Sequence, residues 1–99
     1  MSYRIVIRGV ADDDIAAAAK WYERQRAGLG RDFVASVRAS LDKLQMHPDL
    51  GIVVFKDLRR CNVKRFPYGI FYVIDDDCLR ILGVIHARRA PRVWKERLS

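Results

Sequence analysis

The sequence predicts an α+β domain in which an antiparallel helical hairpin packs on one face of an antiparallel sheet, in the order βααβββ with a short C-terminal helix. Three observations carry that prediction. The chain opens on an alternation of apolar and polar residues, continues as two apolar stripes at helical spacing, and ends in β-branched and aromatic runs broken by an acidic turn.

Tyr3, Ile5 and Ile7 alternate with Arg4, Val6 and Arg8, the period of a half-buried strand, and Gly9 ends it. Asp12, Asp13 and Asp14 then place carboxylates where a helix presents its unpaired N–H groups, so they are expected to cap it rather than to hold a metal. Ile15, Ala18, Ala19 and Tyr22 fall on one helical face, and Gly28-Leu29-Gly30 breaks the run. A second stripe, Phe33, Val34, Val37, Leu41 and Leu44, predicts a helix from about residue 31 to 46, closed at His47 because Pro48 follows. The short link makes the two helices antiparallel neighbours.

After Pro48 the pattern turns to strands. Residues 52–55 fit either a short strand or a packed loop. Residues 58–65 mix Leu58, Cys61 and Val63 with Arg59, Arg60, Lys64 and Arg65, as in a strand with a basic solvent side. Residues 68–74 and 78–86 form the expected central hairpin around Asp75-Asp76-Asp77, with Tyr68 and Tyr72 taken as core. Pro91 suits the first turn of a final helix carrying Trp94.

Ninety-nine residues make one domain, residues 1–99, too small for a separate substrate lobe. Of the net charge of +7, residues 56–99 supply six units, with eleven Lys or Arg against five Asp or Glu. That asymmetry points to an acidic partner, nucleic acid or protein, and puts the working surface in the basic half. No apolar run reaches the roughly twenty residues of a spanning helix, and the N-terminus lacks a signal-peptide core. The protein is therefore expected in the cytoplasm, away from membranes. Cys61, Cys78, His47 and His86 lack the short ligand spacing of a zinc site, so neither metal nor cofactor is expected.

The run Arg65-Phe66-Pro67-Tyr68-Gly69-Ile70-Phe71-Tyr72, the acidic turn, the strand ending Val84-Ile85-His86-Ala87-Arg88-Arg89, and then Pro91, Trp94 and Arg97 resemble the RelE/ParE toxin superfamily. Trp21-Tyr22, Gly28-Leu29-Gly30 and Phe33 extend the likeness into the helical half. The resemblance implies the toxin of a bacterial type II toxin–antitoxin pair, assembled with a cognate antitoxin. It also implies one of two targets: ParE-like toxins inhibit DNA gyrase, whereas RelE-like toxins cleave mRNA on the ribosome.

Metal-independent RNA cleavage needs a base, an acid and cations on one phosphate. Arg60, Lys64, His86, Arg88 and Arg89 are the candidates for that set. Against it, Gly69 stands where RelE-like nucleases tend to carry an arginine, and Trp94, whose indole only donates, stands about where their aromatic acid/base residue sits. His86-x-Arg88-Arg89 followed by Trp94 and Arg97 looks more like the ParE side. Gyrase inhibition is thus the leading expectation, with Arg60, Lys64, Arg65, Arg88, Arg89, Trp94 and Arg97 as target-binding residues. Ribosome-dependent mRNA cleavage and a non-toxic nucleic-acid-binding module are the alternatives. The bland counterparts are a hydrogen-bonded structural His86, a Trp94 that anchors the tail, and residues 59–65 as a merely solvated basic face.

Overall fold

In the computed structural model, which describes residues 2–98, the elements follow the order β1 (Arg4–Ile7), α1 (Gly9–Gln25), α2 (Leu29–Met46), a 3-10 turn (Pro48–Leu50), β2 (Ile52–Phe55), β3 (Leu58–Asn62), β4 (Tyr68–Asp75), β5 (Cys78–His86) and α3 (Ala90–Leu98). The expected α+β class, hairpin and final helix are all present. The sheet is mixed, with strand order β1-β5-β4-β3-β2. β2 to β5 form an antiparallel meander, but β1 lies parallel to β5, pairing Arg4 with Cys78 and Ile7 with Ile81. The wholly antiparallel sheet expected from the sequence is corrected here. Alternation fixes which face a strand buries, not the direction of a neighbour some seventy residues away.

Three local expectations also change. Residues 52–55 form a strand, at the sheet edge opposite β1. β3 ends at Asn62 rather than residue 65, because Arg65 takes a left-handed conformation, φ 75°, in the turn to β4. Finally, α1 begins at Gly9 with Arg8 as its N-cap and no capping side chain, so only Asp12 of the three aspartates sits in the first turn.

The two helices meet across Gly28, at φ 89°, a backbone conformation that glycine adopts without penalty. Glu23 supplies what the start of α2 lacks: its carboxylate accepts the N–H groups of Gly28, at 3.0 Å, and Gly30, at 3.1 Å. Those two bonds hold the Glu23 carboxyl below its usual pKa, with nearby Arg31 adding to them.

Side chains divide into two cores on the two faces of the sheet. Against the helical hairpin lie Phe33, Val37, Leu44, Ile70, Tyr72, Leu79, Ile81 and Val84, with Tyr22, Phe66 and Tyr68 adding edge-on and stacked ring contacts. Beneath α3 lie Leu58, Phe71, Ile85 and Ala90, joined by Val93 and Trp94. Tyr72 is fully buried, and its hydroxyl donates to the Pro48 carbonyl and accepts the Gly51 N–H at 2.9 Å. It thereby fastens the 3-10 turn to the sheet centre.

Tyr72→Phe keeps the ring but strands a buried N–H and a carbonyl, and is expected to cost about 1–3 kcal/mol in urea unfolding with an unchanged m-value. Glu23 supplies the acid-side prediction. A carboxylate with a lowered folded-state pKa stabilises above its unfolded pKa and loses that contribution as pH falls through the folded one. Glu23→Gln should therefore be less stable than wild type at neutral pH, and the two melting curves should converge below the ordinary carboxylate range.

Candidate functional site

The C-terminal end of β3, the start of β4 and the end of β5 come together at one end of the sheet. Asn62 pairs with Gly69 and Tyr68 with His86, and beyond them the Ala87 N–H donates to the Pro67 carbonyl at 2.8 Å. That bond joins the loop carrying Lys64 and Arg65 to the turn carrying Arg88 and Arg89, and all four side chains are solvent-exposed. Two segments distant in sequence thus form one basic rim. His86 organises its β5 side: Nδ1 accepts the Arg88 N–H at 3.1 Å and the carbonyl accepts the Arg89 N–H at 2.9 Å. In the neutral ring, Nε2 therefore carries the proton.

The remaining cations are placed differently. Arg59 and Arg60 are consecutive in a strand and point to opposite faces. Arg59 is spent on backbone, donating to the Asp49 and Gly51 carbonyls. Arg60 lies on the α3 face, opposite Phe71, with its aliphatic stem over Gly69: a Cβ at Gly69 would stand 2.9 Å from Arg60 Cγ. Its Nε is buried without a hydrogen-bond partner among the described residues. His86 shares the hairpin face with Tyr68, their rings meeting edge-on at 5.2 Å. The backbone therefore sets the turn carrying Lys64 and Arg65 beside the one carrying Arg88 and Arg89, next to His86, with Arg65 Nη2 4.0 Å from Asp32 of α2, and leaves Arg60 on the far side of the sheet from His86. Trp94 packs under α3 against Phe55, with ring centroids 5.1 Å apart, which is the anchoring role.

Arg97 is not a free cation either. Its guanidinium grips Asp14 with two bonds, Nη1 to Oδ2 at 2.7 Å and Nη2 to Oδ1 at 2.9 Å. Asp14 Oδ2 also accepts the Val84 N–H at 3.0 Å. Both side chains are about four-fifths buried, at 21% and 18% exposure, so the pair is poorly screened and raises the Arg97 pKa through the Asp14 hydrogen bond. Asp14, expected only as a helix cap, instead ties α1 to β5 and α3. Gly83 makes this crossing feasible, since a Cβ there would stand 2.5 Å from Arg97 Nη1.

β1 pairs with β5 only as far as Ile81, which leaves the Leu82–His86 edge of β5 uncovered between α1 and α3. A groove of about 530 Å³ runs along that edge, walled by Ala17, Trp21 and Tyr22 of α1 and Val93 of α3, with Tyr68, His86 and Arg89 at its basic end. Burial raises the Tyr68 phenol pKa, with Arg89 drawing it down and Asp14 pushing it up, so the hydroxyl feels both. Sequence reasoning missed this groove. Its trace was present: Asp14, Ala17 and Trp21, at i, i+3 and i+7, form a second face of α1 beside the apolar one.

Among the described residues, no group of three or more His, Cys, Asp or Glu is placed to hold a metal ion, and no helix is long and apolar enough to cross a membrane. A family model described as "ParE toxin of type II toxin-antitoxin system, parDE" matches residues 5–91. No curated protein matches the sequence. Among solved structures, the fold is similar to the chromosomal ParDE TA system of P. aeruginosa, with TM-score 0.76, 15% identity, and coverage of 86% of this chain and 96% of that one. It is also similar to the toxin-antitoxin complex RelBE2 of Mycobacterium tuberculosis, with TM-score 0.62, 21% identity, and 87% and 99% coverage. A third similar structure is an E. coli toxin RelE mutant in the free state, with TM-score 0.62, 14% identity, and 99% and 96% coverage.

The ion pair yields a measurable coupling. In a double-mutant cycle of Asp14→Ala and Arg97→Ala, each single variant should lose about 2–4 kcal/mol of stability, and the pair should lose less than their sum by about 1–3 kcal/mol. Additive losses would show that the two side chains act independently.

Proposed function

The chain belongs to the ParE toxin family of type II toxin–antitoxin systems, and on that premise we propose that it arrests growth by inhibiting DNA gyrase and is neutralised by a cognate acidic antitoxin. The separation of Arg60 from His86 carries this reading. Cleavage of an RNA phosphodiester requires the base, the acid and the stabilising cations to converge on one phosphate, whereas these two candidates lie on opposite faces of a sheet. Two further features support it. The stem of Arg60 fills the space over Gly69, and Trp94 is occupied in packing.

The basic rim is then a binding surface rather than a reaction centre. Lys64, Arg65, Arg88 and Arg89 project from two adjacent turns, so they approach an acidic surface together. Opposite charge accelerates the encounter and fixes orientation. An antitoxin of acidic character competes for the same field, with the partners forming a hetero-oligomer.

Purified protein added to a gyrase supercoiling reaction should block supercoiling, while translating ribosomes given the same protein should keep a defined mRNA intact. Codon-positioned cuts with normal supercoiling would instead assign the rim, with His86 beside it, to ribosome-dependent cleavage. Replacing both Arg88 and Arg89 by Glu should abolish growth arrest on induction with an unchanged thermal melt, because both side chains are exposed and outside either core. Arrest at the wild-type level would remove them from the target-binding surface.

A further inference from the structure

Of the two outer strands of the sheet, β2 is the one left open to pairing. Among the described residues it pairs with β3 alone, so its other edge turns unpaired N–H and C=O groups to solvent. Successive side chains of a strand point to opposite faces, yet Ile52 and Val53 are 59% and 54% exposed, so the strand stands clear of both cores. Leu50 just before it and Phe55 at its end are exposed as well. Natural edges are usually blunted by charge or proline, and Ile52-Val53-Val54-Phe55 contains neither, whereas β1 at the opposite edge carries Arg4. The β2 edge is also held in shape. Tyr72 accepts the Gly51 N–H at 2.9 Å, Arg59 donates to the Gly51 carbonyl at 2.8 Å, and the Phe55 ring lies against Trp94. A strand fastened at both ends leaves a partner little ordering entropy to overcome.

We infer that β2 is the interface of a two-fold dimer, in which two copies of this chain pair antiparallel, β2 to β2, and join their five-stranded sheets into one. Charge selects a second copy over other occupants. Residues 46–59 hold Lys56 and Arg59 against Asp49 and Asp57, so the segment is neutral and the whole net charge of +7 lies elsewhere. A nucleic acid or an acidic protein gains nothing at such an edge, whereas a second cationic copy meets no local repulsion there. The edge is also complementary to itself. Asp49 precedes the apolar run and Lys56 follows it, so antiparallel pairing sets the Asp49 end of each strand beside Lys56 of the other copy. Parallel pairing would set like charges together. The two-fold axis of an antiparallel pair stands perpendicular to the joined sheet, which leaves both helical hairpins on one face and points the two basic rims in opposite directions. Neither rim is covered, so the dimer goes beyond the gyrase reading and does not depend on it. A four-residue edge makes an interface smaller than the roughly 1,200 Å² of standard stable complexes, and the association is therefore reversible and concentration-dependent.

Sedimentation velocity of the intact protein over a concentration series should show a monomer–dimer equilibrium, and the amides of residues 51–56 should exchange hydrogen more slowly in the dimer. Val53→Lys puts a charge on the exposed edge and should weaken dimerisation about tenfold or more, with an unchanged thermal melt. Val6→Lys, also exposed but on β1, should leave dimerisation unchanged. Asp49→Lys should weaken association by bringing a lysine against Lys56 of the other copy, and adding Lys56→Asp to the same chain should restore it. A protein that stays monomeric throughout the series, a dimer whose 51–56 amides remain unprotected, full dimerisation by Val53→Lys, or a charge-swapped double variant as weak as Asp49→Lys alone would overturn the inference. So would open-ended aggregation in place of a closed dimer. Slowed exchange of the same amides in a monomer on adding an oligothymidylate or polyglutamate would also overturn it, since the edge would then belong to another occupant.

Discussion

The carboxylate of Asp14 is the point at which three elements are joined. It stands on α1, accepts the Val84 N–H of β5, and holds Arg97 of α3 by both oxygens. Without it, the uncovered edge of β5 would leave backbone groups facing a gap that β1 is too short to fill. Asp14 and Arg97 take hydrogen-bonding positions that a longer β1 would have occupied, Arg97 also reaching the Leu82 carbonyl at 3.4 Å. The edge is satisfied by side chains rather than by a strand, and so a groove remains where a strand would have lain. The walls of that groove, the placement of α3 over the second core, and the position of Arg89 at the groove mouth all follow from this arrangement.

Strand geometry governs the rest of the surface. Basic residues crowd residues 59–65 in sequence, but a two-residue period sends neighbours to opposite faces and a turn sends the last of them off the sheet. One arginine is spent on carbonyls, one lies along the backbone of Gly69, and only those in the turns remain exposed at the rim. Charge density along the chain is therefore a poor guide to charge density on the surface. The Ala87–Pro67 hydrogen bond sets the turn carrying Lys64 and Arg65 beside the turn carrying Arg88 and Arg89, two regions that a linear reading would keep apart.

Much of the fold was legible in the sequence for identifiable reasons. The Cys78–His86 strand begins where expected because the turn at Asp76 and Asp77 punctuates it, and α2 stops at Met46 because Pro48 forbids its continuation. The parallel β1–β5 contact was not legible, since no local pattern encodes the direction of so distant a partner. Asp14 was misread for the same reason: its neighbours suggest a cap, and its partner Arg97 lies at the other end of the chain. Lys64, Arg65, Arg88 and Arg89 were singled out from composition and family likeness, and the structure places them on two adjacent turns. The splitting of Arg59 from Arg60 was available from strand period alone. The groove required knowing which edge of β5 is left bare.

The parallel pairing of the first strand with the last also governs when this polypeptide can become whole. On the ribosome, β1 emerges roughly seventy residues ahead of β5, the strand it pairs with, so its ladder cannot close until β5 has been made. The loop to be closed is long, and its entropy opposes early docking. Nascent chains shorter than that threshold lack β5, the Asp14–Arg97 tie and the β5-side arginines of the rim alike. The finished surface can therefore form only once β5 and α3 have both left the ribosome, however early the helical hairpin has formed.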